Sequence, residues 1–462
     1  MRIGILTDYP VVTFACGPSL ATQALKIYLE GRGHEVTIVG PKPGPNDPPA
    51  VPGSLLLDSL DFKAHPGVRM ALAWPPKAIT QNPGLDVIHS HANSLLMHWG
   101  PMMRELHNIP CVSTNTIYLP AFAQHLLPNK LYEYEHVRNA WSGLADTVER
   151  SFAAVYNGGD GLIVQCQGLA DYWNKKGLQV PLHVIPRPID VRIFDKPVGA
   201  DPFRPEFAKG GRIVAVCRHA REKDLDKLIE AFARYVVPQI PTASLTLVGD
   251  GLEHAQLKKL AHTLGVGDRV DFPGEKPQRE TPDWYRHADL FAYASLSETY
   301  GQVISEALWC GAPVVAVDDQ MGVAYQVRHG EDGLLVQPGE NLLQDLGDGI
   351  VELLSNPAKR KAFGERAAQR ARERVAPEVV YAAYERAYEA AIEHLAAHPR
   401  RRETHNNLPS AWEMTHKHVV PWMWKHVVLC GLSAFRGAKG YDLPKVRIDG
   451  MKAAAYGTRA DE

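Results

Sequence analysis

Short β-branched runs alternate with helical patterns along most of the chain, and this alternation constrains the fold more than any other feature. Ile3 to Leu6 is a continuous apolar run, Leu20 to Gly33 is helical in pattern and ends on glycine, and Glu35 to Val39 is apolar again. A buried strand followed by an amphipathic helix is the signature of a parallel sheet with helices on both faces. Further strands are predicted at Asp86 to His91, Cys111 to Thr114 and Gly161 to Gln165. Each run ends in a polar loop, where ligands of open α/β sheets collect.

The alternation restarts at Arg212 to Cys217, with a helix over Lys227 to Val236. Strands follow at Ser244 to Val248, Val270 to Phe272, Leu290 to Ala294 and Pro313 to Val317. Between the halves lie Ile185 to Phe194 and then a stretch from Asp195 to Gly211 holding several Pro and Gly, the predicted linker. The expected organisation is two doubly wound α/β domains, 1–195 and 196–376, facing across a cleft. A crossover helix over 377–398 and a C-terminal extension over 399–462 complete it. For a chain of 462 residues the prior is about three domains, which two domains and an extension satisfy.

Composition removes whole classes. Lys+Arg 50 against Asp+Glu 52 leaves a net charge of -2, so no nucleic-acid partner is expected. Six cysteines are scattered with no Cys-x-x-Cys pair, which excludes a disulfide scaffold and a structural zinc site and fits a reducing compartment. The opening apolar run is too short for a signal peptide, and no stretch reaches ~18 uncharged apolar residues. The expected location is the cytoplasm, at most peripheral at the inner face of a membrane. No sequence feature bears on the oligomeric state.

The most specific chemical signal is Ser297-Glu298-Thr-Tyr-Gly-Gln-Val-Ile-Ser-Glu306, followed by Ala-Leu-Trp-Cys-Gly-Ala-Pro-Val-Val-Ala. Two carboxylates flank a glycine turn at a strand-to-helix junction. A helix beginning near Gly301 points its first amides at the loop, where they can hold an anion or a hydroxyl group. Glu298 can accept hydrogen bonds from a sugar, and Glu306 can take a ribose diol in a bidentate way. By themselves, two such carboxylates read first as helix-end and surface charges.

This block resembles the signature of retaining glycosyltransferases of the GT-B fold, family 4. Three others agree in order and spacing: Val216-Cys-Arg218-His-Ala-Arg-Glu-Lys223-Asp, Leu247-Val-Gly-Asp-Gly-Leu, and Asp332-Gly-Leu-Leu-Val-Gln-Pro-Gly. In the second block Cys217 and Asp224 stand where the family has glycine, so a different local backbone is expected there. Together the blocks cover roughly Ile213 to Gly339. The N-terminal half is similar more by architecture than by motif.

The resemblance implies two Rossmann-like domains and transfer of a hexose from a nucleotide diphosphate sugar, UDP ahead of GDP, to a hydroxyl acceptor. That acceptor is a lipid or a small polar molecule. Arg218 and Lys223 would stabilise the charge that develops on the departing diphosphate. Glu306 would bind the donor ribose and Glu298 would face the transferred sugar. Thr299, Tyr300, Gly301 and Gln302 would supply donor-site amides, and Gly249 belongs to the matching Gly-x-Gly turn. Asp250 within that turn is read as a turn residue or a ligand. The cations take the place of a metal, and no Asp-x-Asp motif occurs, so neither metal nor cofactor is expected. An epimerase of the same fold and a non-catalytic nucleotide-sugar-binding protein are the alternatives.

In the N-terminal half, Gly17 precedes a helix whose amides could reach the diphosphate or the acceptor, although Pro18 removes one donor. His89 and His91 alternate onto one face of their strand, so orientation does not choose between them. His91 resembles the family's cleft histidine. Asn93, Asn115 and Tyr118 are the acceptor-side candidates. Trp412, Trp422 and Trp424, interleaved with Lys417, Lys425 and histidines, form a strip suited to peripheral membrane contact. Packing of this tail onto the N-terminal domain is the reading set ahead of it, because Pro421 interrupts any single amphipathic helix.

Overall fold

The computed structural model describes residues 1–8, 10, 17–45, 47, 49–61, 69–71, 81–92, 94–115, 152–208, 210–296 and 298–399. Asn93, Tyr118, the loop before Gly17 and the tail from Trp412 to Trp424 lie outside the described residues.

The described chain forms two compact units. The first comprises Met1–Val164, Trp173–His183 and the chain from Tyr384 onward; the second comprises Gln165–Tyr172 and Val184–Ala383. By contact the break falls at Val184 rather than at 196, and the helix Pro377–Ala397 is divided between the units.

Unit 1 is built on β1 (Arg2–Leu6), β2 (Glu35–Pro41) and β3 (Leu55–Leu57). A small antiparallel pair, β4 (Ser59–Asp61) and β5 (Arg69–Ala71), precedes β6 (Val87–Ser90), β7 (Cys111–Thr114), β8 (Gly161–Val164) and β9 (Leu182–Val184). The sheet order is β3-β2-β1-β6-β7-β8-β9. Unit 2 repeats the plan with β10 (Arg212–Val216), β11 (Ser244–Val248), β12 (Val270–Gly274), β13 (Leu290–Tyr293), β14 (Val314–Val317) and β15 (Gly333–Val336). Its order is β12-β11-β10-β13-β14-β15, all parallel.

Both orders run outward from the first strand of the unit and then reverse. A crevice opens at the carboxyl ends of the two strands that flank such a reversal. In unit 1 these strands are β1 and β6; in unit 2 they are β10 and β13.

Burial on both faces explains why the strands are continuous apolar runs. Ile213 and Ala215 of β10 enter one core cluster with Leu228, Phe232 and Leu346. Val214 and Val216 enter the other with Phe291, Tyr293 and Ile304. Successive residues of one strand thus feed opposite faces, as the two-residue repeat requires.

The stretch from Asp195 to Gly211 is not a loose linker. Phe203 and Phe207 are buried, and Phe203 packs edge-on against Trp284 with ring centroids 5.1 Å apart. Arg212 stacks on Phe203 at 5.2 Å and pairs with Asp201 at 2.8 Å. Two aromatic anchors four residues apart outweigh the local Pro and Gly content and seat the segment on unit 2.

In unit 1 the last helix is tied down by a buried charge cluster. Fully buried Asp160 receives Arg104 at both oxygens (2.7 and 2.8 Å), the Cys111 amide at 3.0 Å and His394 Nδ1 at 3.0 Å. Such a carboxylate is tolerated in a core because every neighbour supplies a proton or a positive charge.

Candidate functional site

The site is assembled at the carboxyl ends of β10 and β13. After β10 the backbone leaves the sheet through Cys217, whose amide donates to Val248 at 3.0 Å, and His219, whose amide donates to Asp250 at 2.8 Å. These bonds lace the Arg218 loop to the Gly249–Gly251 turn. Gly249 (φ 140°) and Gly251 (φ 155°) permit this approach, because a Cβ on Gly249 would stand 1.9 Å from the Cys217 carbonyl oxygen. The Gly249 amide itself donates to Gly274 at 3.0 Å. What this glycine supplies is room for the adjacent loop.

Gly249→Ala is therefore expected to destabilise unit 2 by ~3 kcal/mol or more, since backbone meets the new methyl group and φ is unfavourable as well. Urea unfolding measures this; a midpoint equal to the parent's would refute the packing argument.

The Arg221–Lys223 turn ends at Asp224, which holds φ 49°, ψ 36°. Asp224 adopts the left-handed conformation that favours glycine, so the backbone at this position need not change. Aspartate is among the side chains that visit this region most readily. Arg218 extends into solvent with 65% of its side chain exposed, steadied by Glu222 at 2.6 Å.

Lys223 turns inward and pairs closely with Glu298 across 75 residues of sequence. The same Glu298 oxygen, Oε1, accepts the Tyr293 hydroxyl at 2.6 Å and the Ser295 hydroxyl at 3.2 Å. Burial disfavours the charge on Glu298, but Lys223 and these hydrogen bonds outweigh it and hold the carboxyl below its ordinary range.

Beyond Glu298, Gly301 (φ 77°) begins the helix Gln302–Trp309. A left-handed turn at this point aims the first helical amides back at the loop. The carbonyls of Tyr300 and Gly301 both accept from the side-chain amide of buried Gln326, which thereby fixes the loop. Tyr300 is buried, with its hydroxyl 2.7 Å from Ser305. Thr299 accepts the Cys166 thiol through its carbonyl at 3.5 Å, and the Gln302 side chain donates to the Pro188 carbonyl at 3.3 Å.

Glu306 points into the core of unit 2 with only 5% of its surface exposed. Gln278 donates to one oxygen at 3.0 Å and Tyr285 to the other at 2.9 Å. Burial nevertheless pushes its carboxyl up to about 7. A carboxyl poised near neutrality and held by two oriented donors is a common property of ligand sites.

In unit 1 both histidines are buried, with ring centroids 4.2 Å apart, and differ in their partners. His89 is fully buried, bonded to Tyr388 at 2.8 Å and Thr114 at 2.6 Å, and burial holds it well below the usual histidine range. It is a neutral core residue. His91 lies at the end of β6, its amide on the Leu6 carbonyl and its Nδ1 2.8 Å from the Thr22 hydroxyl. Gly17 opens the helix Gly17–Gly31, and Asn115 is fully buried, donating to Tyr156 at 3.2 Å.

The structure thus gathers Arg218, Lys223, Glu298 and the start of the Gln302–Trp309 helix around the β10/β13 crevice, with Glu306 further along that helix. Gln278, Tyr285, Tyr293 and Gln326 are supports that sequence reasoning missed. Tyr285 and Tyr293 follow the apolar pattern of core positions, and nothing local marks the two glutamines. Among the described residues no group of His, Cys, Asp and Glu is arranged to hold a metal ion, and no helix is long and apolar enough to cross a membrane.

Comparison with known proteins adds the family. A model described as glycosyl transferases group 1 matches residues 201–370, and one described as glycosyltransferase family 4 matches residues 17–192. An alpha-monoglucosyldiacylglycerol synthase of Streptococcus pneumoniae is 27% identical over 361 residues, 73% of this chain and 78% of that protein. An exopolysaccharide phosphotransferase of Streptomyces coelicolor is 34% identical over 166 residues, 36% of this chain but only 17% of that protein's length. The crystal structure of Anabaena HepE in complex with UDP has a TM-score of 0.62 and 20% identity, covering 84% of this chain and all of that one. That likeness establishes the shared fold. The two family models take one unit-sized segment each and leave little of residues 17–370 unmatched, so the chain belongs to the GT-B-fold glycosyltransferases of family 4.

Proposed function

We propose that the chain is a retaining transferase that moves a hexose from a UDP-sugar to a hydroxyl acceptor. The observation that carries this reading is the meeting of Lys223 with Glu298 at the β10/β13 crevice, beside solvent-facing Arg218. Arg218 and Lys223 receive the diphosphate, with the first amides of the Gln302–Trp309 helix completing its hydrogen bonds. Their charges stabilise the leaving group as the sugar–phosphate bond breaks, which is the role a metal plays in other transferases. Glu306 takes the ribose diol in exchange for part of its bonding to Gln278 and Tyr285. Glu298 accepts from hydroxyls of the transferred sugar.

HepE, of the same fold, is described with UDP, which supports a uridine donor. The similarity to a synthase of a glucosylated diacylglycerol supports a lipid hydroxyl as acceptor.

The test is a thermal-shift screen of UDP- and GDP-sugars in the presence of a chelator. A ligand at ~100 times its dissociation constant adds about 2.7 kcal/mol of stability. Stabilisation by a UDP-sugar, followed by NMR detection of an α-linked product with diacylglycerol vesicles, is the expected result. Binding of GDP-sugars alone would overturn the donor, and an inverted product would overturn the mechanism.

A further inference from the structure

Three donors converge on a single oxygen of Glu298, and they are not equivalent. Lys223 is the group that the proposed function assigns to the diphosphate. Ser295 has one hydroxyl proton, and its oxygen lies 3.0 Å from the Glu222 carbonyl as well as 3.2 Å from Glu298. The Tyr293 hydroxyl has the shortest uncharged contact, 2.6 Å.

Its ring is also firmly held. Tyr293 is the last residue of β13, is registered against Ala316 of β14, is 1% exposed and stacks on Phe291 with centroids 5.7 Å apart. Among the described residues no donor reaches the second oxygen, Oε2.

Resting on the donor-site reading above, we infer that Tyr293 is the positioning residue for Glu298, anchoring Oε1 so that Oε2 is presented to a hydroxyl of the transferred sugar. Lys223 can then leave Glu298 for the diphosphate without releasing the carboxylate. The charge-assisted hydrogen bond from a buried phenol fixes one oxygen and therefore the plane of the group. Burial and the Glu298 charge keep that phenol protonated far above neutrality, so it stays a donor.

The experiment compares the full chain with Tyr293→Phe, which keeps the ring and removes the hydroxyl. Calorimetry measures UDP, UDP-glucose, UDP-galactose and UDP-N-acetylglucosamine, using the UDP-sugar that the parent chain binds. The expected result is unchanged affinity for UDP, about tenfold weaker binding of the UDP-sugar and a ten- to hundredfold lower kcat. Equal weakening of UDP and UDP-sugar would mark a structural role and overturn the inference, as would no change in either. A variant that fails to fold overturns it too, because the hydroxyl would then be a folding element. If the parent binds none of the four ligands, the donor-site reading itself fails and the inference falls with it, a result distinct from the other three.

Discussion

Glu306→Gln is expected to lose sugar transfer and yet unfold at a higher temperature than the parent at pH 8. The carboxyl is raised from 4.5 to about 7 by burial, against which the bonds from Gln278 and Tyr285 are insufficient. Between those two values the folded chain binds more protons than the unfolded chain. Its stability therefore falls as pH rises through this window. Above pH 7 the ionised group costs ~3 kcal/mol relative to its protonated form. A glutamine removes that cost, and its amide can still donate to one neighbour and accept from the other.

The gain should be several degrees in Tm at pH 8 and should shrink towards zero near pH 5. Transfer should drop about a hundredfold or more, because on the proposed function the charged bidentate acceptor for the ribose is gone. Calorimetric melting at both pH values, with initial rates at pH 8, checks both halves. An equal gain at pH 5 and pH 8 would show that burial of the charge is not the cause. Stability given up at a ligand site is a recurrent trade in enzymes.

Arg218→Ala and Lys223→Ala should both lose activity but differ in stability. On the proposed function each removes a cation from the leaving diphosphate, and each should lower kcat/KM by ~10²–10³. Their structural consequences differ because their surroundings do. Arg218 is exposed and pairs with Glu222 four residues further along the same loop, a contact worth less than ~1 kcal/mol, so its loss should leave Tm within about a degree of the parent. Lys223 and Glu298 are both largely buried. Truncating the lysine strands a buried carboxylate, with an expected cost of ~3 kcal/mol. Adding Glu298→Gln to Lys223→Ala should restore most of that stability and none of the activity. Melting and donor turnover for the three variants decide the matter; unimpaired turnover in Arg218→Ala would remove it from the donor site.

The sheet strands that position this site were legible because each feeds two cores at once. Ile213 to Val216 had no alternative to a buried strand, and the same holds for β1, β11 and β14. Short edge elements such as β3 and β9 carried too few residues to signal themselves. The segment from Asp195 to Gly211 reads as a linker in sequence because Phe203 and Phe207 acquire meaning only against Trp284 and Arg212, which come later in the chain. Asp224 was read as a departure from a glycine pattern, whereas its backbone retains the left-handed conformation.

By itself the sequence determined the doubly wound architecture, the family resemblance and four charged candidates, Arg218, Lys223, Glu298 and Glu306, for the donor site proposed above. Those features are local: a strand's apolar run, the spacing of two glutamates and a cation pair on one loop. Only the tertiary structure decided that His89 is sealed in the core by Tyr388 and Thr114, since strand alternation treats His89 and His91 alike. It alone paired Lys223 with Glu298, set Gln278 and Tyr285 on Glu306, and brought Tyr293 onto the Glu298 oxygen. The physical reason is distance along the chain: Lys223 and Glu298 are 75 residues apart and meet only because β10 and β13 become neighbours in the sheet, and the side chains on Glu306 come from a separate helix and turn.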